Sequence, residues 1–283
     1  MTTIVERRAS EDGAWHVLAA KPDARLAPVV RRYSDWSDAR WTGVERRRHG
    51  PSVDVPLIVD FGGTLGSVGD DGSVSYLPGF VAGLQHRYAV TEANGPTAGI
   101  QVDLTPIGAH ILLGVPMHEL TDRTLSLEDA MGDDGRRLIE QLRAARSADE
   151  RFAAIESMII QRLAAARVPS RAMFWAWNVL ETNGGRVNVG EIGERLGWSR
   201  KHVVAQFREH IGLTPKMMAR IVRFNRASQA IRSGERPNFG AIAAEAGYYD
   251  QAHMTREFVE FSGSTPGDFL ARRMPDSNDV RDS

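Results

Sequence analysis

One segment of this 283-residue chain is written twice, and no other feature limits its fold as strongly. The first copy reads VGEIGERLGWSRKHVVAQFREHIGLTPKMMA and the second FGAIAAEAGYYDQAHMTREFVEFSGSTPGDFLA. A shift of 50 residues superposes Ile192 on Ile242 and Gly197 on Gly247. A shift of 51 then superposes His202 on His253, Phe207 on Phe258, Gly212 on Gly263 and Thr214-Pro215 on Thr265-Pro266. The second copy has one more residue in its turn.

Each copy carries its own punctuation. A short helix with Val189, Ile192 and Leu196 stops at Gly197, because glycine readily takes the left-handed conformation of a helix C-terminal cap. Ser199 caps a second helix with Val203, Phe207 and Ile211 at helical spacing. In the repeat, Gly247 stops the first helix, Asp250 caps the second, and Met254, Phe258 and Phe261 form the buried stripe. Both copies then give Gly followed by Thr-Pro, an N-cap with proline at the first helical position. Two short helices joined by a turn containing glycine read as a helix-turn-helix, whose second helix enters the DNA major groove.

Between the copies, Thr214 to Ser233 predicts one helix with Met217, Ile221, Phe224, Ser228 and Ile231 along a face. About 20 residues of helix span roughly 30 Å, close to the roughly 34 Å of one DNA turn. Such a helix can hold two reading helices in successive major grooves.

The tandem motif, its linking helix and the run GYYDQAHMTREFVEFSGSTPGDF resemble the AraC/XylS-type transcription regulators over residues 170–273. That resemblance implies a C-terminal DNA-binding domain, a front domain of divergent cupin-like type, and helices between them that pack on the sensor or pair two subunits. It also implies RNA polymerase as a partner if the protein is an activator, and a homodimer by family analogy. The absence of cysteine argues against the DNA-alkyl-repair proteins that share this DNA-binding domain.

With no cysteine, structural disulfides, thiolate catalysis and cysteine-ligated zinc are excluded. The start, MTTIVERRASEDGAW, lacks an apolar signal segment, and no run approaches the length of a membrane span. A cytoplasmic protein with no membrane partner is expected. The net charge of −1 hides an asymmetry: residues 170–283 hold 16 Lys+Arg against 13 Asp+Glu, and residues 1–169 hold 19 against 23. The contrast is too small to identify a DNA-binding half by itself.

An α+β chain is predicted, with a β-rich domain over 1–115, a helical linker or dimerisation region over 116–167, the DNA-binding domain over 170–273 and a disordered tail over 274–283. Expected strands are Pro28–Trp36, Val53–Phe61, Ser73–Leu77, Phe80–Leu84, Gly99–Leu104 and Ala109–Leu113, separated by glycine-rich turns. Ser126 to Asp129 and Ser147 to Glu150 are capping boxes. Phe152, Ile155, Ile159 and Leu163 share one face of the following helix, which either covers the sheet or pairs subunits. Residues 167–170 read as a linker, and the aromatic run Met173 to Leu180 as core rather than a base-stacking surface.

No enzyme is expected, and no cofactor or metal. There is no His-x-His, no His-Glu-x-x-His and no Gly-x-Ser-x-Gly. His49, His86, His110 and His118 are scattered through the front half.

Helical phase turns Lys201, Val204, Ala205 and Arg208 outward when Val203, Phe207 and His210 are buried. Likewise Ala252, Thr255, Arg256 and Val259 face out, with Gln251 near the helix start. Arginine bonds guanine bidentately, glutamine bonds adenine, and small apolar side chains touch a thymine methyl. Positions carried over from the family as base contacts are Lys201, Val204, Ala205, Gln251, Ala252 and Arg256. Arg200, Arg208 and Thr255 are assigned to phosphates. The first reading helix departs from the family at Val204 and Ala205, where many relatives have polar or basic residues, and the second carries Glu257, Val259 and Glu260 where a basic residue is common near Val259, which predicts fewer phosphate contacts and lower affinity than usual.

The sequence therefore predicts a regulator that binds double-stranded DNA and is controlled through its front domain by a small-molecule effector or by dimerisation. Two other readings stay open: an architectural DNA binder with little sequence preference, and a small-molecule enzyme fused to a DNA-binding module.

Overall fold

The computed structural model describes residues 3–10, 14–40, 43–234, 237–271 and 279–281. In its first part the chain passes back and forth between two antiparallel sheets. The larger contains β1 (Thr3–Ala9), β2 (Trp15–Lys21), β3 (Val30–Asp38), β5 (Val55–Asp60), β8 (Gly79–Ala82), β10 (Thr97–Leu104) and β11 (Thr124–Ser126), ordered β1-β2-β3-β10-β5-β8-β11. The smaller runs β12-β4-β9-β6-β7, from β4 (Val44–His49), β6 (Leu65–Val68), β7 (Val74–Tyr76), β9 (Ala89–Asn94) and β12 (Asp279–Arg281).

Alternation along the strands sends one face of the larger sheet inward. Tyr33, Val102, Leu57 and Val81 stand opposite one another across β3, β10, β5 and β8, all buried. Cross-strand pairs of this kind are the unit of sheet stabilisation.

Helices α1 (Pro106–Leu113), α2 (Leu127–Met131), α3 (Asp133–Ala144) and α4 (Ala148–Ala165) follow. Ser126 and Ser147 cap α2 and α4 by accepting from the backbone of Asp129 and Glu150. On the sheet, Phe152 of α4 stacks against Tyr33, with ring centroids 5.7 Å apart. Arg151 forks onto the buried carboxylate of Asp35 at 2.5 and 3.2 Å. Phe152, Ile155 and Ile159 are thus buried within the chain.

Three expectations need correction. Ala109–Leu113 is helix, not strand: Thr105 caps it by accepting from Gly108, Pro106 opens it and Gly114 closes it at φ 72°. Its Ile107, Ala109, Ile111, Leu112 and Leu113 are all buried, so the segment reads as an apolar run without a period, which fits strand or helix equally. The β-rich region does not end at residue 115, because β11 pairs with β8. Within the tail expected to be disordered, Asp279–Arg281 pairs with β4, while residues 274–278 and 282–283 lie outside the described residues. The strands β1, β2, β4, β6 and β9 had no counterpart among those expected.

The C-terminal part is all helix: α5 (Arg171–Thr182), α6 (Val189–Leu196), α7 (Arg200–His210), α8 (Pro215–Ser233), α9 (Phe239–Ala246), α10 (Gln251–Ser262) and α11 (Pro266–Ala271). Gly197 and Gly247 take the left-handed conformation at φ 66° and 92°. Ser199 accepts from His202 at 3.2 Å and Asp250 from His253 at 2.6 Å. In α6 and α9 the two copies share a further bond: Trp198 donates to Gly193 at 2.8 Å and Tyr248 to Ala243 at 2.9 Å. A Cβ on Gly193 would lie 2.7 Å from the Trp198 carbonyl, so the first copy closes this turn tightly over glycine, whereas the second closes the same bond over Ala243. In α5, Met173, Ala176, Trp177 and Leu180 are buried, as a core helix requires.

Phe207 is wholly buried at the centre of the first motif. Phe207→Ala is expected to lower stability by about 3–5 kcal/mol, measured by chemical denaturation of the full chain.

Candidate nucleic-acid interface

The reading helices α7 and α10 differ along their lengths. At α7, Arg200, Lys201, Ala205 and Arg208 are exposed and Val204 is half-buried, while Val203 and Phe207 are in the core. At α10, Gln251, Ala252 and Arg256 are exposed and Met254, Phe258 and Phe261 are buried. Helical phase read from the sequence therefore gives the outward turn of Lys201, Ala205, Arg208, Gln251, Ala252 and Arg256, whereas Val204, expected outward, and His210, expected buried, are both half-buried. Arg200, Lys201, Arg208, Gln251 and Arg256 have no side-chain hydrogen bond or ion pair among the described residues, so their donors are available to a ligand. Thr255 is half-buried, and its hydroxyl donates to the Gln251 carbonyl at 2.9 Å, which uses its one proton inside the helix.

Glu257 is not on the outward face at all. It lies at the flank of the buried stripe, three residues after Met254 and one before Phe258, and only 5% of it is exposed. Arg220 of α8 reaches it at 2.7 Å, Arg223 at 3.7 Å and His253 at 3.5 Å. Arg220 also bonds Glu260. Burial and the Glu257 charge push the neighbouring Tyr248 phenol above its ordinary range. The two acids that looked unfavourable for DNA are thus an internal clamp between α8 and α10.

Other arginines of this half are spent the same way. Arg186 bonds the carbonyls of Ala244 and Glu245 at the end of α9, Arg226 the Thr182 carbonyl and Arg223 the Gly185 carbonyl. Arg200, Lys201, Arg208 and Arg256, on the reading helices, are among the cations left outward.

The front domain holds the opposite ends of those helices. Thr121 donates to the Gly212 carbonyl just after α7 at 3.0 Å, and His110 of α1 meets His210 edge to face at 4.6 Å. Arg31 pairs with Glu181 of α5 and with Asp54 at 3.4 Å. Asn225 of α8 donates to the Pro51 carbonyl at 2.8 Å, and Gly50 lies so close to Phe224 that a Cβ would sit 2.9 Å from its ring. Past α10, a Cβ on Gly263 would sit 2.9 Å from Tyr88. The C-terminal ends are docked and the N-terminal ends are open.

Three of the scattered histidines have separate partners: His49 bonds Thr91, His86 pairs with Asp122, and His110 bonds the Val115 carbonyl. Among the described residues no group of three or more His, Cys, Asp or Glu is placed to hold a metal ion. No helix among them is long and apolar enough to cross a membrane.

Residues 192–272 match a family described as a helix-turn-helix domain, and residues 19–126 match a domain of unknown function, DUF6597. The chain is 32% identical over 68 residues to an uncharacterised HTH-type transcriptional regulator, YbfI, of Bacillus subtilis (strain 168). That match covers 24% of this chain and 24% of the relative, so it spans about a quarter of each. Among solved structures, ToxT from Vibrio cholerae has a TM-score of 0.47 at 10% identity, covering 82% of this chain and 96% of that one. A structure described as a probable AraC family transcriptional regulator from Rhodopseudomonas palustris has a TM-score of 0.33 at 24% identity, covering 36% of this chain and 97% of that one.

Two outcomes follow from the buried charges. Glu257→Ala leaves Arg220 and Arg223 without their shared carboxylate, and a loss of about 3–5 kcal/mol is expected in thermal or denaturant unfolding. Burial, and then the nearby His110, hold the His210 imidazole below its ordinary value of 6.5. The docked state favours neutral His210, so docking is at full strength above about pH 6.5 and weakens as pH falls through the lowered value. Asp54, pushed up to about 7 by burial and by Asp103, titrates in the opposite sense. Comparing melting temperatures of wild type and His210→Gln across acid to neutral pH cancels that group. The wild type should lose more stability on acidification than the variant.

Proposed function

We propose that this chain, whose residues 192–272 belong to the AraC-type helix-turn-helix family, is a sequence-specific DNA-binding transcription regulator. It places α7 and α10 in successive major grooves of double-stranded DNA. The observation that carries the reading is the polarity of the two reading helices: their N-terminal side chains are exposed and unpartnered, while their C-terminal ends are packed against α8 and the front domain. DNA-reading helices contact base edges from their N-terminal residues. Helix α8, with 19 residues, extends about 28 Å, close to the roughly 34 Å between successive grooves.

Within the interface, Gln251 and Arg256 read bases by paired hydrogen bonds, followed by Lys201, and Val204, Ala205 and Ala252 contact thymine methyls. Arg200 and Arg208 hold phosphates. Thr255 contributes little, because its hydroxyl proton is already bonded.

Residues 1–126 act on this interface through the contacts of Arg31, Thr121, His110 and Pro51, a route by which an effector or a second subunit shifts the position of one reading helix relative to the other. Any such effector must bind two docking states with different affinity. Breaking the Arg31 pair with Glu181→Arg is expected to change operator affinity; identical binding by the variant would remove this interface from regulation.

The main test is selection of bound fragments from a random duplex library at two salt concentrations. A motif of two short elements about 10 base pairs apart is expected, and enrichment without a motif would leave an architectural DNA binder. On the selected duplex, Gln251→Ala and Arg256→Ala should each cost about 1–3 kcal/mol and relax preference at one position. Arg208→Ala should weaken selected and scrambled duplexes alike and reduce the salt slope by about 1.

A further inference from the structure

The turn of the second motif holds a residue that the first lacks. Trp198 alone stands between Gly197 and the cap Ser199, whereas Tyr248 and Tyr249 stand between Gly247 and the cap Asp250. Trp198 and Tyr248 are equivalent in space as well as in sequence. Each donates its backbone N–H to the corresponding residue of the first helix. Each also meets a histidine of its own reading helix edge to face: Trp198 meets His202 at 4.8 Å and Tyr248 meets His253 at 5.3 Å. Tyr249 is therefore the inserted residue.

Its environment is the reverse of its neighbour's. Tyr248 is 5% exposed and Tyr249 93%, the highest value for any large hydrophobic side chain among the described residues. The backbone beneath it is fixed. Tyr249 donates its N–H to His253 Nδ1 at 3.4 Å, His253 is paired with the buried Glu257, and Asp250 caps α10 immediately afterwards. A rigid turn thus displays a whole phenol ring to solvent, at the open end of α10 beside Gln251 and Ala252. An aromatic held out in this way gains nothing within the chain, since its apolar surface stays in water.

We propose that Tyr249 is a DNA-backbone contact of the second reading helix. This rests on the DNA-binding reading above and adds a residue to it. Tyr249 lies before the N-cap and so outside the helix that enters the groove, where the neighbouring strand presents sugar and phosphate rather than base edges. Its hydroxyl donates to a phosphate oxygen and its ring packs against the deoxyribose. The contact is neutral, so it fixes the position of α10 without sequence preference and without releasing a counterion. The first motif has no equivalent, and Arg200 and Arg208 hold its backbone instead.

The test is the affinity of full-length wild type, Tyr249→Phe and Tyr249→Ala for the selected duplex and for a scrambled duplex, each at two salt concentrations. Tyr249→Ala should weaken both duplexes by about tenfold, and Tyr249→Phe by about threefold through loss of the hydroxyl. The salt slope should be that of the wild type. Because the side chain is exposed, the variants should melt with the wild type, which separates a contact from a folding defect. Equal affinity of Tyr249→Ala and wild type overturns the proposal. A loss confined to the selected duplex also overturns it, in favour of a base contact, and a loss of self-association with unchanged DNA binding assigns the ring to a second copy of the chain. A wild type that binds both duplexes equally would sink the regulator reading while leaving a uniform tenfold loss in Tyr249→Ala intact.

Discussion

Helix α8 is the constraint on which the C-terminal half depends, because three bodies pack on it at once. Met218, Ala219, Ile221, Val222, Phe224, Ala227, Ser228 and Ile231 are buried, far more than one stripe of an amphipathic helix. Phe224 meets Phe258 and Phe261 of α10 at 4.8 and 5.3 Å, and on another side it faces Gly50 of the front domain. Each motif is too small to bury its own apolar face, and the linking helix supplies the missing surface. The separation of the two reading helices is then set by packing.

Charge reinforces that packing. Arg220 and Arg223 project from α8 toward Glu257, and Arg220 extends to Glu260 while its guanidinium lies over Phe261 at 4.8 Å. Buried ion pairs contribute less to net stability than to a unique arrangement when their desolvation is counted, and breaking one side is costly. Here they fix α10 against α8, and they draw arginines of a weakly basic domain away from the surface. A mean charge near neutrality is therefore compatible with a basic reading face.

The front domain uses small residues to come close. Gly50, Gly212 and Gly263 each lie where a Cβ would approach a side chain or carbonyl across the boundary within about 3 Å, and Gly212 also has φ 100°. Thr121 reinforces these approaches just after α7, and Asn225 on α8 and Glu181 on α5 add further contacts with Pro51 and Arg31 of the front domain. Motion at this boundary would reach both motifs through rigid helices.

Much of the C-terminal half was legible in the sequence, because its information is local. Gly197, Gly247, Ser199, Asp250, Thr214-Pro215 and Thr265-Pro266 act within a few residues of chain, and the spacing of Val203, Phe207, Met254 and Phe258 fixes which side chains turn outward. The front half was legible only in part. Strands such as β4, VERRRH, and β9, AVTEAN, owe their conformation to neighbours distant in sequence, and α1 is buried all round, which erases the period that would have revealed it. The inward turn of Glu257 and the outward display of Tyr249 were also decided in three dimensions: helical phase gives the direction of a side chain, but only the packing of α8 against α10 creates the cationic pocket that accepts a buried carboxylate. The sequence by itself determined two capped helix-turn-helix units and which of their side chains turn outward, since caps and helical period are properties of adjacent residues. Tertiary structure alone decided how the two sheets close, which arginines remain free and where the front domain grips, since these depend on surfaces that meet only after the chain has folded.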